Sequence, residues 1–437
     1  MTVTRELTKE PTVTNAADNA TLARHRWYPI KEGFSPRLVT DSYLELGTDS
    51  KKRVLAIEPF SGSGTAPVEC TRLGIACLAF EVNPFLAFIG RTKLRQADPK
   101  TLRAQRETVL KGLRRKNVSR LESISTFCEG NGRKKWLFNR SVLRTFAGGW
   151  NGIKNCPPTL RAFYRLALLR AAMDNCNAYP DGKCLRYKRL KSFDCFDSGS
   201  VIAQFEHYCD LIEEDLDSTR FDSSLSSVEC MDSRELADRV PKQRFDLCVT
   251  SPPYLNSFDY SDVYRPEMFL AGLVTDNKQL MRIRLRTVRS HVQANWKAPI
   301  KASFGTIYAK ILKDILNRKD ELWSARIPQM IQAYFEDMEE LLAALTERAN
   351  PSALLKIVVA TSAYGGVVVP VDLILAEIAE QVGWELHDVQ VVRRLRSSAQ
   401  LWKHEDRDKK VPELRESVVI LKFPNGSSGA VPHKRFG

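Results

Sequence analysis

The run Phe245-Asp246-Leu247-Cys248-Val249-Thr250 stops abruptly at Ser251-Pro252-Pro253-Tyr254. A short apolar run bounded by a turn signal reads as a buried strand of an open α/β sheet. Such sheets place ligand sites just beyond the carboxyl ends of their strands, so Ser251 to Tyr254 is expected at the lip of a cleft. Neither proline can donate a backbone hydrogen bond, and both still accept through their carbonyls. The loop is therefore rigid and offers acceptors, one hydroxyl and one ring. That set suits an amino group on a planar base, although the tetrapeptide alone also reads as a strand ending in a proline turn.

A second strand, Val54-Leu55-Ala56-Ile57, leads into Glu58-Pro59-Phe60-Ser61-Gly62-Ser63-Gly64-Thr65 and then a helix with Val68, Leu73 and Ile75 on its apolar side. Strand, small-residue glycine turn and helix form the layout of a nucleotide-type cofactor site, with free N–H donors at the helix start. No Gly-Lys-Ser/Thr follows, so the turn is not a phosphate-binding P-loop, and it lacks the dinucleotide Gly-x-Gly-x-x-Gly spacing. The acid at Glu58 favours a cationic ligand over a pyrophosphate. A third strand, Ala76 to Phe80, ends at Glu81, where an acid typically takes ribose hydroxyls. A fourth, Val228 to Cys230, ends at Asp232, which would either accept from an adenine amino group or cap the helix after it.

Between these strands the sheet pattern breaks off. Helices are predicted over 102–120, within 141–175 and over 204–216, with Leu143, Phe163, Leu166 and Leu169 as core. A basic run, Leu185-Arg186-Tyr187-Lys188-Arg189-Leu190-Lys191, and a second one carrying Arg282, Arg284, Arg286 and Arg289 either grip a phosphate backbone or form solvated, salt-bridged faces. The second is read as a phosphate-binding helix face, because acids at i,i+4 spacing are missing nearby. Residues 328–349 form an amphipathic helix, 353–361 a buried strand, 371–382 a helix, and 384–393 and 417–423 the last strands.

The chain has 437 residues and a formal charge of +14. The length suits one large domain with insertions, or two domains. The basic excess suits a polyanionic partner. No apolar run approaches the roughly 20 residues that span a bilayer, and no secretory pattern opens the chain. None of the ten cysteines form a Cys-x-x-Cys pair, so they are read as reduced, mostly buried thiols with no metal site.

Glu58 to Thr65 resembles the cofactor motif, and Thr250 to Tyr254 the catalytic motif, of the amino-methyltransferase group of DNA methyltransferases. The aromatic loop from His25 to Pro36 is similar to their segment over the cofactor's methionine end. The resemblance covers about 25–95, 228–265 and 353–423. It implies a Rossmann-like α/β sheet with helices on both faces, and S-adenosylmethionine as cofactor. It implies Glu58, Phe60, Gly62 and Gly64 around the methionine portion, Glu81 on the ribose and Asp232 near the adenine, with Thr65 and Lys31 also among the cofactor-binding residues. Family members often carry Asp where Glu58 stands. Ser251, Pro252, Pro253 and Tyr254 would act on the target, a base flipped from double-stranded DNA. Serine at the first of these positions resembles the cytosine-N4 members, aspartate or asparagine the adenine-N6 ones. An adenine-N6 enzyme, an RNA amino-methyltransferase and a non-catalytic nucleic-acid-binding protein on this fold stay open as alternatives.

The expected organisation is a mobile tail over 1–24 and a catalytic domain over 25–95 and 226–437. A helical insertion over 96–225 is a candidate target-recognition region, with Arg186, Lys188 and Arg189 on DNA. A basic helical insertion over 270–327 is a candidate DNA contact. The expected setting is the cytoplasm of a bacterial or archaeal cell, nucleoid-associated, with a cognate restriction endonuclease as a candidate partner.

Overall fold

The computed structural model describes residues 3–5, 13–30, 32–47, 53–181, 185–189, 195–239, 243–395 and 413–425. Eight of the strands join in one sheet: β1 (Val3–Arg5), β2 (Leu55–Glu58), β3 (Ala76–Phe80), β4 (Ser226–Glu229), β5 (Phe245–Thr250), β6 (Ala349–Ala360), β7 (Glu385–Leu395) and β8 (Leu414–Lys422). Their order across the sheet is β1-β7-β8-β6-β5-β2-β3-β4. β8 runs antiparallel to both neighbours, and all other pairs are parallel. The chain winds outward from β2 through β3 to β4, then returns to lay β5 on the other side of β2. The topological switch point therefore lies between the ends of β2 and β5, where open sheets hold ligands. This is the Rossmann-like sheet expected from the sequence.

β5 is buried along its whole length. Leu247 and Val249 join a core with Leu38, Val39, Ala66 and Val68 on one face, while Phe245 and Cys248 join Met330, Tyr334, Ile374 and Ile378 on the other. The first face is covered by α1 (Pro36–Glu45) and α2 (Thr65–Arg72), the second by α10 (Ile327–Thr346) and α11 (Val371–Gln381). A carboxylate inside such a strand needs partners. Asp246 has them in the Leu55 N–H at 3.1 Å and the Asn350 amide at 2.8 Å, which tie β5 to the flanking chain on both sides. Cys248 is fully buried, as expected of a core thiol.

α3 (Pro84–Leu94) is followed by α4 (Pro99–Arg115), α5 (Arg140–Ile153), α6 (Arg161–Asp174) and α7 (Ser198–Ser218), the helical region expected over 96–225. Its core is continuous with Phe85 and Ile89 of α3 and with Trp27, Met268 and Phe269. After β5 come two short helices, Tyr260–Val263 and Arg265–Leu270, then α8 (Asn277–Arg286) and α9 (Thr306–Leu316).

The expected tail does not hold for residues 13–24. Arg24 is fully buried, and its guanidinium donates to the carbonyls of Lys93 at 2.8 Å and Arg95 at 2.7 Å. Asn19 donates to Thr65 Oγ1 at 3.2 Å. Polarity without periodicity suggested a mobile segment; tertiary partners more than forty residues away hold it instead.

Candidate active site

The glycine turn leaves β2 at Glu58, which is 1% exposed. Its Oε1 accepts from the Phe60 N–H at 2.8 Å and the Thr250 hydroxyl at 2.6 Å, so the ends of β2 and β5 are joined through this carboxyl. Its Oε2 is buried with no hydrogen-bond partner among the described residues. Burial pushes the Glu58 carboxyl up to about 8 against the downward pull of those two bonds, as desolvation disfavours the charged form. Glu81 ends the next strand along. Its carboxylate accepts from the N–H groups of Gly62 at 2.9 Å and Asn83 at 2.8 Å, and burial raises it to about 7.

Gly62 and Gly64 both have positive φ, 51° and 89°, the region where a side chain is strained. At Gly64 a Cβ would also stand 2.9 Å from the Gly90 Cα, so this glycine lets α2 and α3 approach.

A cavity of about 310 Å³ opens at the switch point. Its walls include Phe60, Gly62, Glu81 and Asp232 from the cofactor set, and Ser251, Pro252, Pro253 and Tyr254 from the catalytic set. The structure thus brings together two motifs almost 190 residues apart in the chain, with Glu58 directly beneath them. Gly64 and Thr65 do not line the cavity. Thr65 is buried at the start of α2 and takes the Asn19 bond, so the two are scaffold to the turn rather than cavity wall. Asp232 lines the wall, but both its oxygens are engaged by Arg234, at 3.0 and 2.7 Å, and it caps the turn Ser233–Glu235. Asp232 thus caps that turn and also stands on the cavity wall. Lys31 lies outside the described residues.

Several wall residues carried no role in the sequence reading. Tyr260 packs edge-on to Phe258 at 4.4 Å, and the Tyr264 hydroxyl donates to Glu32 at 3.0 Å. Arg393 and Glu416 form an ion pair at 2.7 Å that also binds Tyr254. The aromatic stretch from Asn256 to Tyr264 was a visible signal for the first group. None marked the pair, which comes from β7 and β8.

The basic residues divide. Arg289 is buried and donates to Asp337 at 2.6 Å and Glu336 at 2.7 Å, so it is part of the interior and not of a phosphate-binding face. Arg284 pairs with Asp259 at 2.5 Å. Arg286 is partly exposed, lines the cavity and lies 3.7 Å from Glu235. The acids missing at i,i+4 spacing are supplied from other elements. α8 ends at Arg286, and Thr287, Val288, Ser290 and His291 after it line the cavity, where the Leu285 carbonyl accepts from Arg234 and the Ser290 carbonyl from the Ser257 N–H. Arg282 is exposed on α8. Arg186 is exposed on the hairpin strand Leu185–Tyr187 and pairs with Asp181 at 2.9 Å, Arg189 is exposed, and Lys188 stands 4.4 Å from the Phe196 ring. None of Arg186, Lys188 and Arg189 lines the cavity.

Among the described residues, no helix is long and apolar enough to cross a membrane.

No protein-family profile matches the chain. Type II methyltransferase M.AvaI of Nostoc sp. is 25% identical over 93% of this chain and 88% of its own. Type II methyltransferase M.BsoBI of Geobacillus stearothermophilus is 23% identical over 92% of this chain and 86% of its own. Among solved structures, the rRNA methyltransferase aviRa of Streptomyces viridochromogenes aligns with 90% of this chain and 87% of its own at 12% identity, with a TM-score of 0.28, a likeness too weak to bear on function.

Proposed function

We propose that this chain, a homologue of Type II methyltransferases over nearly its whole length, is a DNA methyltransferase that modifies the exocyclic amino group of cytosine, at N4, using S-adenosylmethionine. The observation that carries the reading is the shared cavity. The Ser251-Pro252-Pro253-Tyr254 loop and the Glu58–Gly64 turn meet at the one switch point of the sheet.

The cavity suits that cofactor on its own chemistry. Glu58 is a buried carboxyl that a cationic ligand would ionise, and the Glu81 carboxyl offers acceptors to ribose hydroxyls. Asn83, on the cavity wall, has a buried Nδ2 with no partner among the described residues, as do Glu58 Oε2, Ser61 Oγ and Ser63 Oγ in the turn off the wall, and such atoms ask for one. Glu58, Phe60 and Gly62 would hold the methionine portion, Glu81 the ribose, and the Asp232 turn the adenine. When bound, S-adenosylmethionine supplies a methyl group made electrophilic by its sulfonium.

The target amino nitrogen is a poor nucleophile because its lone pair is conjugated with the ring. Ser251 Oγ and the Pro252 carbonyl accept hydrogen bonds from the two amino hydrogens and draw the nitrogen toward tetrahedral geometry. With the cofactor bound, its lone pair would stand in line to take the methyl group as the carbon–sulfur bond breaks to leave a neutral thioether, and one amino proton would then leave to water; much of the rate would come from that positioning. Tyr254 stacks on the base. The base must leave the duplex to reach the cavity. Serine at position 251 supports cytosine over adenine. Similarity to Type II methyltransferases supports a restriction-modification setting with a cognate endonuclease.

The test is transfer of a labelled methyl group onto duplex DNA, single-stranded DNA and RNA, followed by nucleoside analysis. N4-methylcytosine from duplex DNA is the expected product. N6-methyladenine would replace the cytosine reading, and label on RNA alone would replace the DNA one.

A further inference from the structure

The ion pair at the cavity edge has an ordered chemistry. Arg393 on β7 and Glu416 on β8 are opposite each other in register. The guanidinium meets the carboxylate side-on, Nε to Oε2 at 2.7 Å and Nη2 to Oε1 at 2.9 Å. Glu416 is 1% exposed in its side chain, and its Oε1 also accepts the Tyr254 hydroxyl at 2.8 Å. Side-on pairing of this kind fixes the carboxylate plane as well as its charge.

The direction of each bond follows from what each group can do. A guanidinium only donates, and a carboxylate only accepts. Tyr254 must therefore spend its proton on Glu416, which leaves only lone pairs on the phenol oxygen. The Ser251 hydroxyl interacts with that oxygen and also lies 3.3 Å from the Val358 carbonyl. Both neighbours are acceptors, so the Ser251 proton points to one of them. The lone pairs of Ser251 Oγ are what remains for a ligand in the cavity. Arg393 and Tyr254 thus both donate into Glu416, and Ser251 in turn donates toward Tyr254 or Val358, so Glu416 is the acceptor on which the donation converges.

We propose that Glu416, clamped by Arg393, is a positioning residue that fixes the Tyr254 hydroxyl and thereby sets Ser251 as an acceptor for the target amino group. The proposal rests on the amino-methyltransferase reading above. A glutamine at 416 keeps the shape but carries an NH₂ that can donate to the phenol oxygen, which frees the Tyr254 proton to turn toward Ser251.

The experiment uses Glu416→Gln, Tyr254→Phe and the double variant in the full chain. Methyl transfer to duplex DNA is expected to fall about tenfold in kcat for Glu416→Gln, with cofactor affinity and KM for DNA within about twofold of the parent. In the Tyr254→Phe background the same change should cost almost nothing, because the link is already cut. Fluorine NMR of the 3-fluorotyrosine-labelled chain gives a readout independent of turnover. The resonance that vanishes in Tyr254→Phe should move in Glu416→Gln. Equal costs in both backgrounds, or an unmoved resonance, overturn the proposal. A parent protein that methylates no amino target defeats the functional reading, while the fluorine spectrum still judges the Glu416–Tyr254 contact.

Discussion

With the cofactor placed against Glu58 as proposed, the raised carboxyl should make its binding a proton-releasing event. In the free protein the group sits at about 8 against an ordinary 4.5, which corresponds to about 5 kcal/mol of differential interaction between its two protonation states. At pH 7 it is therefore about nine-tenths protonated, and at pH 8.5 about one quarter. A bound ammonium or sulfonium favours the carboxylate. If the complex holds Glu58 fully ionised, binding at pH 7 releases about 0.9 proton, and affinity rises about 50-fold between pH 6 and pH 8. Glu81, at about 7, would add to the release if the ligand also ionises it. Isothermal titration of S-adenosylmethionine in buffers of different ionisation enthalpy measures the released protons directly. In Glu58→Gln the Glu58 share of the release and of the pH slope should disappear. Affinity that stays flat from pH 6 to pH 8 with no net release would refute the placement of a cationic ligand against Glu58.

The same carboxyl affects stability with a definite sign. The folded chain holds a proton that the unfolded chain gives up, so the Glu58 contribution is lost as pH rises from about 4.5 through 8, and thermal melts of Glu58→Gln should decline less over that range than the parent's. Ser251→Ala should keep cofactor binding by calorimetry and lose most methyl transfer; full activity would remove Ser251 from the mechanism. Gly64→Ala combines a positive φ with a 2.9 Å clash against the Gly90 backbone, and should cost about 1–3 kcal/mol in denaturant unfolding. Asp337→Ala leaves the buried Arg289 with Glu336 and the Lys297 carbonyl as its remaining partners and should cost about 3–5 kcal/mol, whereas Arg282→Ala should leave the unfolding midpoint in place and, if that residue contacts phosphate, lower the salt slope of DNA binding by about 1.

What the sequence made legible was short in range. Apolar runs ending at Glu58, Glu81 and Thr250 announced strand ends, and the topology rule then put those ends in one crevice. Gly62 and Ser251 were readable because each sits inside a compact motif. The Arg289 misreading has the opposite origin. Its acids are 47 and 48 residues away on α10, beyond any test of helical spacing. Glu416 lies 162 residues from the tyrosine it binds, and Glu32 lies 232 from Tyr264. Such pairs depend on the fold having already formed, and no local pattern encodes them. Arg24 was lost in the same way, since a lone arginine in a polar segment looks solvated until its carbonyl partners are in place.

The reversed strand has a consequence for how the chain can be cut. β8 brings its beginning to the rim where its neighbours bring their ends, so Arg393 and Glu416 face each other across the ladder although 396–412 separates their strands. Each is held by its own pairing, Glu416 against Ala360 of β6 and β7 against β1 at its far edge. A nick or new termini placed within 396–412 would therefore leave both halves of the pair stitched to the sheet.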